Sequence, residues 1–284
     1  MKLWQIVTIL VAANVIVTVV MLTLRRRMSP SGHFRDSQLA AGALAVTGTI
    51  FAVLVGFVFL LAFQSFQTAR SSSQDEAVAA IGLFHVAEQL PDAERDRLQA
   101  DVVCYSRSVV HIEWPAMADQ RSSPLVEDWA SQTAQDFERA QLGGSVASGA
   151  EQSWFTATDN LQRGRRGRLA EASNFVPAAI WLLLIAGGVV VVAYVFLFAD
   201  LREGRLPQWA MITAVTTAVT ASLLMVGYLN RPYGDHEGAI DPNAMRDVLR
   251  TMEDERDLGS THRSPPCDAI GRAASGTSER SVSG

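Results

Sequence analysis

The stretch LAAGALAVTGTIFAVLVGFVFLLAF, residues 39–63, decides the fold because it contains no ionisable side chain. At about 1.5 Å per residue, a helix of this length exceeds the roughly 30 Å thickness of a bilayer's hydrocarbon core. A backbone surrounded by lipid must satisfy its own hydrogen bonds, which only a helix or a closed barrel achieves. The stretch is therefore predicted to be a transmembrane helix.

Three other stretches have the same character and also lack Asp, Glu, Lys, Arg and His. They are residues 3–24, 175–199 and 207–229. Of the 284 residues, 49% are hydrophobic and only 19% are charged, which is typical of a chain with much of its length in lipid. The sequence predicts an all-α polytopic membrane protein, with one pair of transmembrane helices in residues 1–65 and a second pair in residues 175–229.

The predicted spans also indicate what kind of membrane protein this is. Proton pumps and many ion-coupled transporters place ionisable groups inside their spans, so a proton-driven pump is not expected. The sequence does not exclude a pore, because apolar constrictions and backbone groups can form one. Gly48, Ala52 and Gly56 recur at intervals of four, which lets a second backbone approach closely. That face could pack on other helices of the same chain, or on a second subunit around a pore.

The segment between the second and third spans, residues 66–174, is predicted to be a helical soluble insert. Ser73-x-x-Glu76 has the pattern of a capping box and predicts a helix start. A following helix is expected to end at Trp114-Pro115, because proline disfavours helix in the residue before it. The run GGSVASG, residues 143–149, indicates a flexible break.

Two segments follow the last span: a post-membrane segment, residues 230–258, and a tail, residues 259–284. The tail is rich in Ser, Gly, Arg and Pro and is predicted to be disordered, because it has little apolar surface to bury. Cys104 and Cys267 are far apart and in unlike contexts, so no disulfide framework and no zinc site is expected.

The side of the membrane is not decided by the charges. Four spans place both termini and the insert on one side. The short connections carry Arg25, Arg26, Arg27, Arg35, Arg202 and Arg205, and the other side carries Lys2, Arg70, Arg163, Arg165, Arg166, Arg168 and Arg231 near the membrane. The positive-inside rule does not assign a side of the membrane when the two counts are so similar.

Candidate binding and catalytic groups are few. Arg163, Arg165, Arg166 and Arg168 could contact anionic lipid headgroups, or could simply anchor the membrane flank. Asp235, His236, Glu237 and Asp241 indicate a solvated turn rather than a metal site. The sequence contains no HExxH, GxSxG, P-loop or GxGxxG motif, so neither an enzyme nor a cofactor is expected. A net charge of -5 does not indicate nucleic-acid binding.

The order of these features resembles the bestrophin-like family of bacterial membrane proteins, a domain of unknown function. The likeness is carried by GTIFAVLVGFVF (48–59), DEAVAAIGLFHVAEQLP (75–91), YSRSVVHIEWP (105–115), RRGRLAEASNFVPAAIWLLL (165–184) and RPYGDHEGAIDP (231–242). Its motif residues here are Glu76, Glu113, Trp114, Pro115, Arg168, Pro177, Pro232, Gly234 and Pro242. One departure is Asn230-Arg231, where the family pattern has an acidic residue before the proline.

The resemblance implies a function and a topology. Bestrophins are pentameric chloride channels with cytoplasmic long segments, so the likeness implies a homo-oligomeric ion channel or transport-related protein in the cell membrane. Its implied partners are membrane lipid and an anion, its pore would be lined by the second span, and the insert and both termini would be cytoplasmic. A membrane-anchored helical interaction or sensor module without transport is the alternative. The exit at 231–242 is expected to pack against the Glu113-Trp114-Pro115 corner.

Overall fold

The computed structural model describes residues 3–27, 37–140, 145–173, 176–197, 205–258 and 264–274. Within these ranges the regular elements are helical, apart from one isolated bridge between Cys267 and Ala273. The chain divides into two compact units. The membrane unit comprises Met1–Phe66, Asn174–Arg231 and Asp235–Gly238, and the insert unit comprises Gln67–Ser173, Pro232–Gly234 and Ala239–Gly284. The predicted all-α class is confirmed.

The membrane unit is built from α1 (Leu3–Arg27), the first part of α2 (Ser37–Val86), α7 (Ala178–Leu197) and α8 (Arg205–Leu229). Each of these four helices is long and apolar enough to cross a bilayer, which confirms the four predicted spans. The intervening insert is helical, also as predicted.

Close packing in the membrane unit depends on two glycines of α7. A Cβ atom placed on Gly187 would lie 2.8 Å from Phe51 Cδ2, and one on Gly188 would lie 2.9 Å from Val219 Cγ1. These glycines therefore let α2 and α8 approach α7 closely.

Asn230, at the departure from the family pattern, has a structural role at the end of the last span. It is buried, and its Oδ1 accepts a 2.8 Å hydrogen bond from the Val176 amide. A neutral amide can satisfy this backbone donor without placing a charge in the buried position. The acidic residue of the family pattern is therefore not needed for this contact.

Helix α2 does not restart at Ser73 as the capping-box pattern predicted. It runs unbroken to Val86, and Ser73 Oγ donates back to Ala69 O at 2.8 Å within the same helix. Glu76 does not cap a helix start, because its carboxylate pairs with Arg168 instead. The capping-box prediction is wrong, since both side chains are committed to other partners.

The insert unit contains the remaining helical elements. These are the end of α2, a 3₁₀ turn (Ala87–Gln89), α3 (Asp92–Ser108), a π turn (Val109–Glu113), α4 (Trp114–Ala118), α5 (Pro124–Arg139), α6 (Ser145–Glu171) and α9 (Asn243–Leu258). The predicted helix end at Trp114-Pro115 is wrong, because the π turn leads directly into α4. Pro115 lies in the first turn of α4, where a missing N–H costs little. Helix α6 begins at Ser145, inside the predicted break at 143–149, and residues 143–144 of that break lie outside the described residues.

The core of the insert unit is aromatic and aliphatic. Phe137 of α5 stacks on Trp154 of α6 with ring centroids 4.2 Å apart and planes 2° from parallel. Leu83, Leu98 and Val103 are fully buried in the same apolar cluster. Such burial contributes about 1.5–3 kcal/mol per large apolar side chain, so the unit has a core of its own.

The tail is partly ordered, contrary to the prediction for residues 259–284. Cys267 forms a disulfide with Cys104, which lies 163 positions earlier in α3. Trp129 Nε1 donates to Gly271 O at 2.7 Å, and Asp268 Oδ1 accepts from the amides of Ile270 and Arg272. The predictions of no disulfide and of disorder are wrong for residues 264–274, because a covalent link and hydrogen bonds replace apolar burial. Residues 259–263 and 275–284 lie outside the described residues.

Candidate functional site

Four charged side chains from distant parts of the insert unit meet in one buried ion cluster. Glu76 comes from α2, Glu113 from the π turn, and Arg165 and Arg168 from α6. The side chains of Glu76, Glu113 and Arg168 are at most 1% exposed, and that of Arg165 is 11% exposed. Charges so deeply buried are stable only when they are paired and hydrogen-bonded.

The two arginines pair with the two glutamates in a chain. Arg168 Nε and Nη2 both donate to the Glu76 carboxylate, the latter at 2.9 Å, and Nη2 also donates to Glu113 Oε2 at 2.6 Å. Arg165 Nη2 donates to Glu113 Oε1 at 2.8 Å, and its Nη1 reaches the exposed Glu127. A planar guanidinium suits such forked contacts better than an ammonium does.

Neutral donors complete the cluster. Tyr105 Oη donates to Glu76 Oε1 at 2.6 Å, and the Ser123 amide donates to Glu113 Oε1 at 3.0 Å. Every carboxylate oxygen of Glu76 and Glu113 therefore already accepts at least one hydrogen bond. The cluster fixes α2, α3 and α6 to the π turn, and its buried acceptors are not free for a ligand.

The ionisation states follow from these contacts. Burial raises the pKa of Tyr105 well above its usual range, and the charge of Glu76 raises it further, so Tyr105 stays a neutral donor. Burial also acts to raise the pKa of Glu113, but hydrogen bonds from Arg165 and the charges of Arg165 and Arg168 outweigh it and lower that pKa. Glu113 is therefore a carboxylate at neutral pH.

Trp114 connects the ion cluster to the exit after the last span. Its ring lies 5.3 Å from Arg168 Cζ, a cation–π distance, and packs edge-on against Tyr233 with centroids 5.4 Å apart. Its Nε1 donates to Ile240 O at 3.1 Å. Tyr233 Oη in turn donates to Ala69 O at 2.8 Å. The predicted packing of the exit against the Glu113-Trp114-Pro115 corner is confirmed.

The other residues singled out in the sequence lie elsewhere. Pro115 lies in the first turn of α4, Pro177 precedes α7, and Pro242 O accepts from the Arg246 amide at the start of α9. Pro232 O accepts from the Ile240 amide at 2.8 Å, which closes the turn containing Gly234. Gly48, Ala52 and Gly56 belong to the membrane unit and take no part in the ion cluster.

The four arginines expected at lipid headgroups divide into two groups. Arg165 and Arg168 are committed to buried ion pairs, so the expectation of headgroup contact is wrong for them. Arg163 is exposed and pairs with Asp159, while Arg166 is exposed and donates to Gln162 O. Lipid contact remains a proposal for Arg163 and Arg166 alone. The sequence contains a sign that the buried and exposed arginines differ. The glycines at 164 and 167 lie among these arginines, and small residues at helical spacing indicate a face that packs closely against another helix.

Sequence reasoning missed a second buried acidic site, formed by Asp101 of α3 and Asp136 of α5. Gln132 Nε2 donates to Asp101 Oδ1, and Arg139 Nη1 donates to Asp136 Oδ1, both at 3.2 Å. Burial raises the pKa of Asp101 to about 8, and the neighbouring charge of Asp136 contributes in the same direction. When protonated, Asp101 can donate to Asp136. When ionised, its Oδ2 accepts no hydrogen bond from the described residues.

Asp101 should therefore make the free energy of unfolding depend on pH. Its pKa is higher in the folded state, so between about pH 4 and pH 8 the folded chain binds more protons, and stability falls as pH rises. Asp101→Asn should remove this dependence. The free energy of unfolding of the variant should therefore rise relative to that of the wild type by at most about 1.4 kcal/mol for each pH unit. Thermal unfolding of the detergent-solubilised protein at pH 5, 7 and 8.5 measures it. Exposed Asp128→Asn on α5 is the control. A gap between Asp101→Asn and wild type that is constant with pH contradicts the prediction.

Metal-ligating groups are sparse in the described ranges. The ligand atoms of His85, Glu88 and Glu255 lie within 4.8 Å of one another on the surface, and His85 Nε2 already contacts Glu255 Oε2 at 3.2 Å. At the exit after the last span, His236 Nε2 contacts Arg231 O at 2.7 Å. Both contacts are those of ordinary surface hydrogen bonding.

Comparison with known proteins gives a consistent assignment. The family model of the bestrophin-like domain matches residues 7–239. The chain is similar to a crystal structure of a bacterial bestrophin homologue from Klebsiella pneumoniae phased with zinc, with a TM-score of 0.64, 15% identity, and 89% and 98% of the two chains covered. A point mutant of that homologue gives a TM-score of 0.69 at 16% identity, covering 88% and 98%. At these identities the structural similarity shows a shared fold alone. No curated protein matches the chain.

Proposed function

Because the chain belongs to the bestrophin-like family, we propose that it assembles into a homo-oligomeric ion channel whose pore is lined by α2. The proposed permeant ion is an anion such as chloride. The observation that carries the proposal is a stripe of small residues on α2. The described residues of the same chain leave open space next to this stripe.

The two sides of α2 differ in the membrane unit. Phe51, Val55 and Val58 are buried against other helices of the same chain. A Cβ atom placed on Gly48 or Gly56 would meet no described atom within 4 Å, and Ala52 is exposed. The described part of the chain therefore does not pack against this stripe, although packing within one chain is the simpler of the two sequence interpretations. Small residues at this interval favour close helix association in lipid, which supports contact with a second copy.

The remaining surface of α2 suits an apolar pore wall or a lipid contact. Ile50, Val53 and Phe57 are between 59% and 67% exposed, and they lie at helical spacing on one side. Pores can be closed by hydrophobic constrictions that lose their water, without any charged gate. This accords with spans that lack ionisable residues, and it supports a channel rather than a proton-coupled pump.

Enlarging the small-residue face should disrupt assembly without disturbing the fold of one chain. Gly56→Leu places a side chain where the described part of the chain offers open space, so the subunit should fold, while its association weakens by at least about tenfold. Native mass measurement in detergent reports the oligomer, and chloride flux into proteoliposomes reports transport. Both should fall together.

Val189→Leu is the matched control, because it keeps an apolar side chain at an exposed position of α7, a helix that is not proposed to line the pore. It should preserve both the oligomer and the flux. A wild-type protein that is monomeric and carries no chloride would overturn the proposed function.

A membrane-anchored interaction module is the second candidate, and one observation favours it. The insert unit has its own apolar core, ion cluster and disulfide, which are the features of a self-supporting binding domain. Specific capture of one partner by the full-length protein, together with an absence of flux from a folded oligomer, would favour this function over a channel.

A further inference from the structure

The disulfide between Cys104 and Cys267 carries information about the side of the membrane. The chain contains two cysteines, and both are used in this bond. Their Cα atoms are 5.8 Å apart, within the range that disulfides require. Cys104 is fully buried and Cys267 is 7% exposed, unlike the accessible cysteines of redox-active sites. The bond therefore has the character of a structural disulfide.

The surroundings of the bond form a defined docking site for the tail. Gly271 has a φ of +87°, and a Cβ atom there would lie 2.8 Å from Ser108 Cα, so the tail loop sits tightly on the end of α3. Trp129 donates to Gly271 O, and Arg107 Nη1 donates to Asp268 O at 3.4 Å. These contacts hold Cys267 next to Cys104, so the pairing is part of the fold.

We propose that the insert unit and the tail lie on the extracytoplasmic side of the membrane, where the Cys104–Cys267 bond forms and persists. Structural disulfides are kept in oxidising compartments and are rare in the cytosol, where thiols are held reduced. This inference replaces the cytoplasmic placement implied by the resemblance to bestrophins. It does not depend on channel activity.

The arginines are compatible with this placement once the ion cluster is known. The positive-inside rule weighs short loops most, because long segments cross the membrane largely regardless of charge. The short connections carry Arg25, Arg26, Arg27, Arg35, Arg202 and Arg205. On the opposing side, Arg165 and Arg168 have another explanation, since they neutralise buried glutamates. Six basic residues in the short connections then face five on the other side, so the charges do not oppose an extracytoplasmic insert.

The oxidation state can be measured on the wild-type chain. Cells expressing the full-length protein are quenched with acid, and the denatured protein is treated with a maleimide–polyethylene glycol reagent, with or without prior reduction. We expect no mass shift without reduction and a two-label shift after it. Labelling of both cysteines without reduction would overturn the proposal.

The side is measured separately, and the native disulfide makes this simple because it leaves no thiol to react. Ser122→Cys adds an exposed thiol to the insert, and Ser29→Cys adds the matched control in the first short connection. A membrane-impermeant maleimide applied to intact cells should label Ser122→Cys at least about tenfold more than Ser29→Cys. Permeabilised cells should label both. Equal labelling of the two variants in intact cells, or stronger labelling of Ser29→Cys, would overturn the proposal.

Discussion

Replacing Arg168 with methionine is expected to destabilise the insert unit by about 3–5 kcal/mol. Methionine is unbranched like the aliphatic part of the arginine side chain, but it carries no charge and no hydrogen-bond donors. It would leave the carboxylates of Glu76 and Glu113 without the guanidinium that contacts both, at positions that are at most 1% exposed. A carboxylate left unpaired in such a site either loses stability as an ion or must take up a proton.

Thermal unfolding of the purified protein, followed by tryptophan fluorescence, measures this effect. Arg166→Met is the matched control, because Arg166 is two positions away on α6 and exposed, and should change the free energy of unfolding by no more than about 0.5 kcal/mol. Arg168→Lys should fall between the two, since it keeps the charge but loses the forked contact. Equal stability of Arg168→Met and Arg166→Met would show that the ion cluster does not stabilise the unit.

Replacing Gly164 with alanine is expected to cost about 1–3 kcal/mol, although alanine is the better helix former by about 1 kcal/mol. The added Cβ would lie 2.7 Å from Glu76 N and 2.8 Å from Glu76 Cα, so it would press on backbone that cannot rotate away. Helix α6 would have to move from α2, and this movement would stretch the contact between Arg168 and Glu76.

The same substitution at Gly82 should have the opposite sign. Gly82 also lies inside a helix, but a Cβ there would meet no described atom within 4 Å. Gly82→Ala should therefore gain up to about 1 kcal/mol from helix propensity alone. Unfolding measurements on the two variants, side by side, separate packing from propensity. A gain in stability for both would contradict the close approach of α6 to α2.

The four spans could be predicted because lipid demands one composition over a long window, and residues 39–63 meet that demand without exception. The insert is harder to predict from the sequence. Its helices were expected, but their limits were not, because Ser73-x-x-Glu76 has the letters of a cap while both side chains have other partners. Local pattern cannot distinguish these cases when packing overrides it.

The ion cluster was present in the sequence as separate motif residues and not as a site. Glu76 and Arg168 are 92 positions apart, and Cys104 and Cys267 are 163 positions apart. No spacing rule connects residues over such distances, since their meeting depends on how whole helices pack. The glycines at 164 and 167 were the available local sign that this part of α6 lies against another helix.

The π turn at Val109–Glu113 has a consequence for how this region can vary between relatives. A π turn holds one residue more than a regular helical turn. Deleting that residue would restore a regular helix and rotate everything after it by about 100°. Glu113 and Trp114 would then turn away from Arg168. Changes of residue type are easier to accommodate here than a change of length, so alignments of relatives should place no gap between α3 and α4.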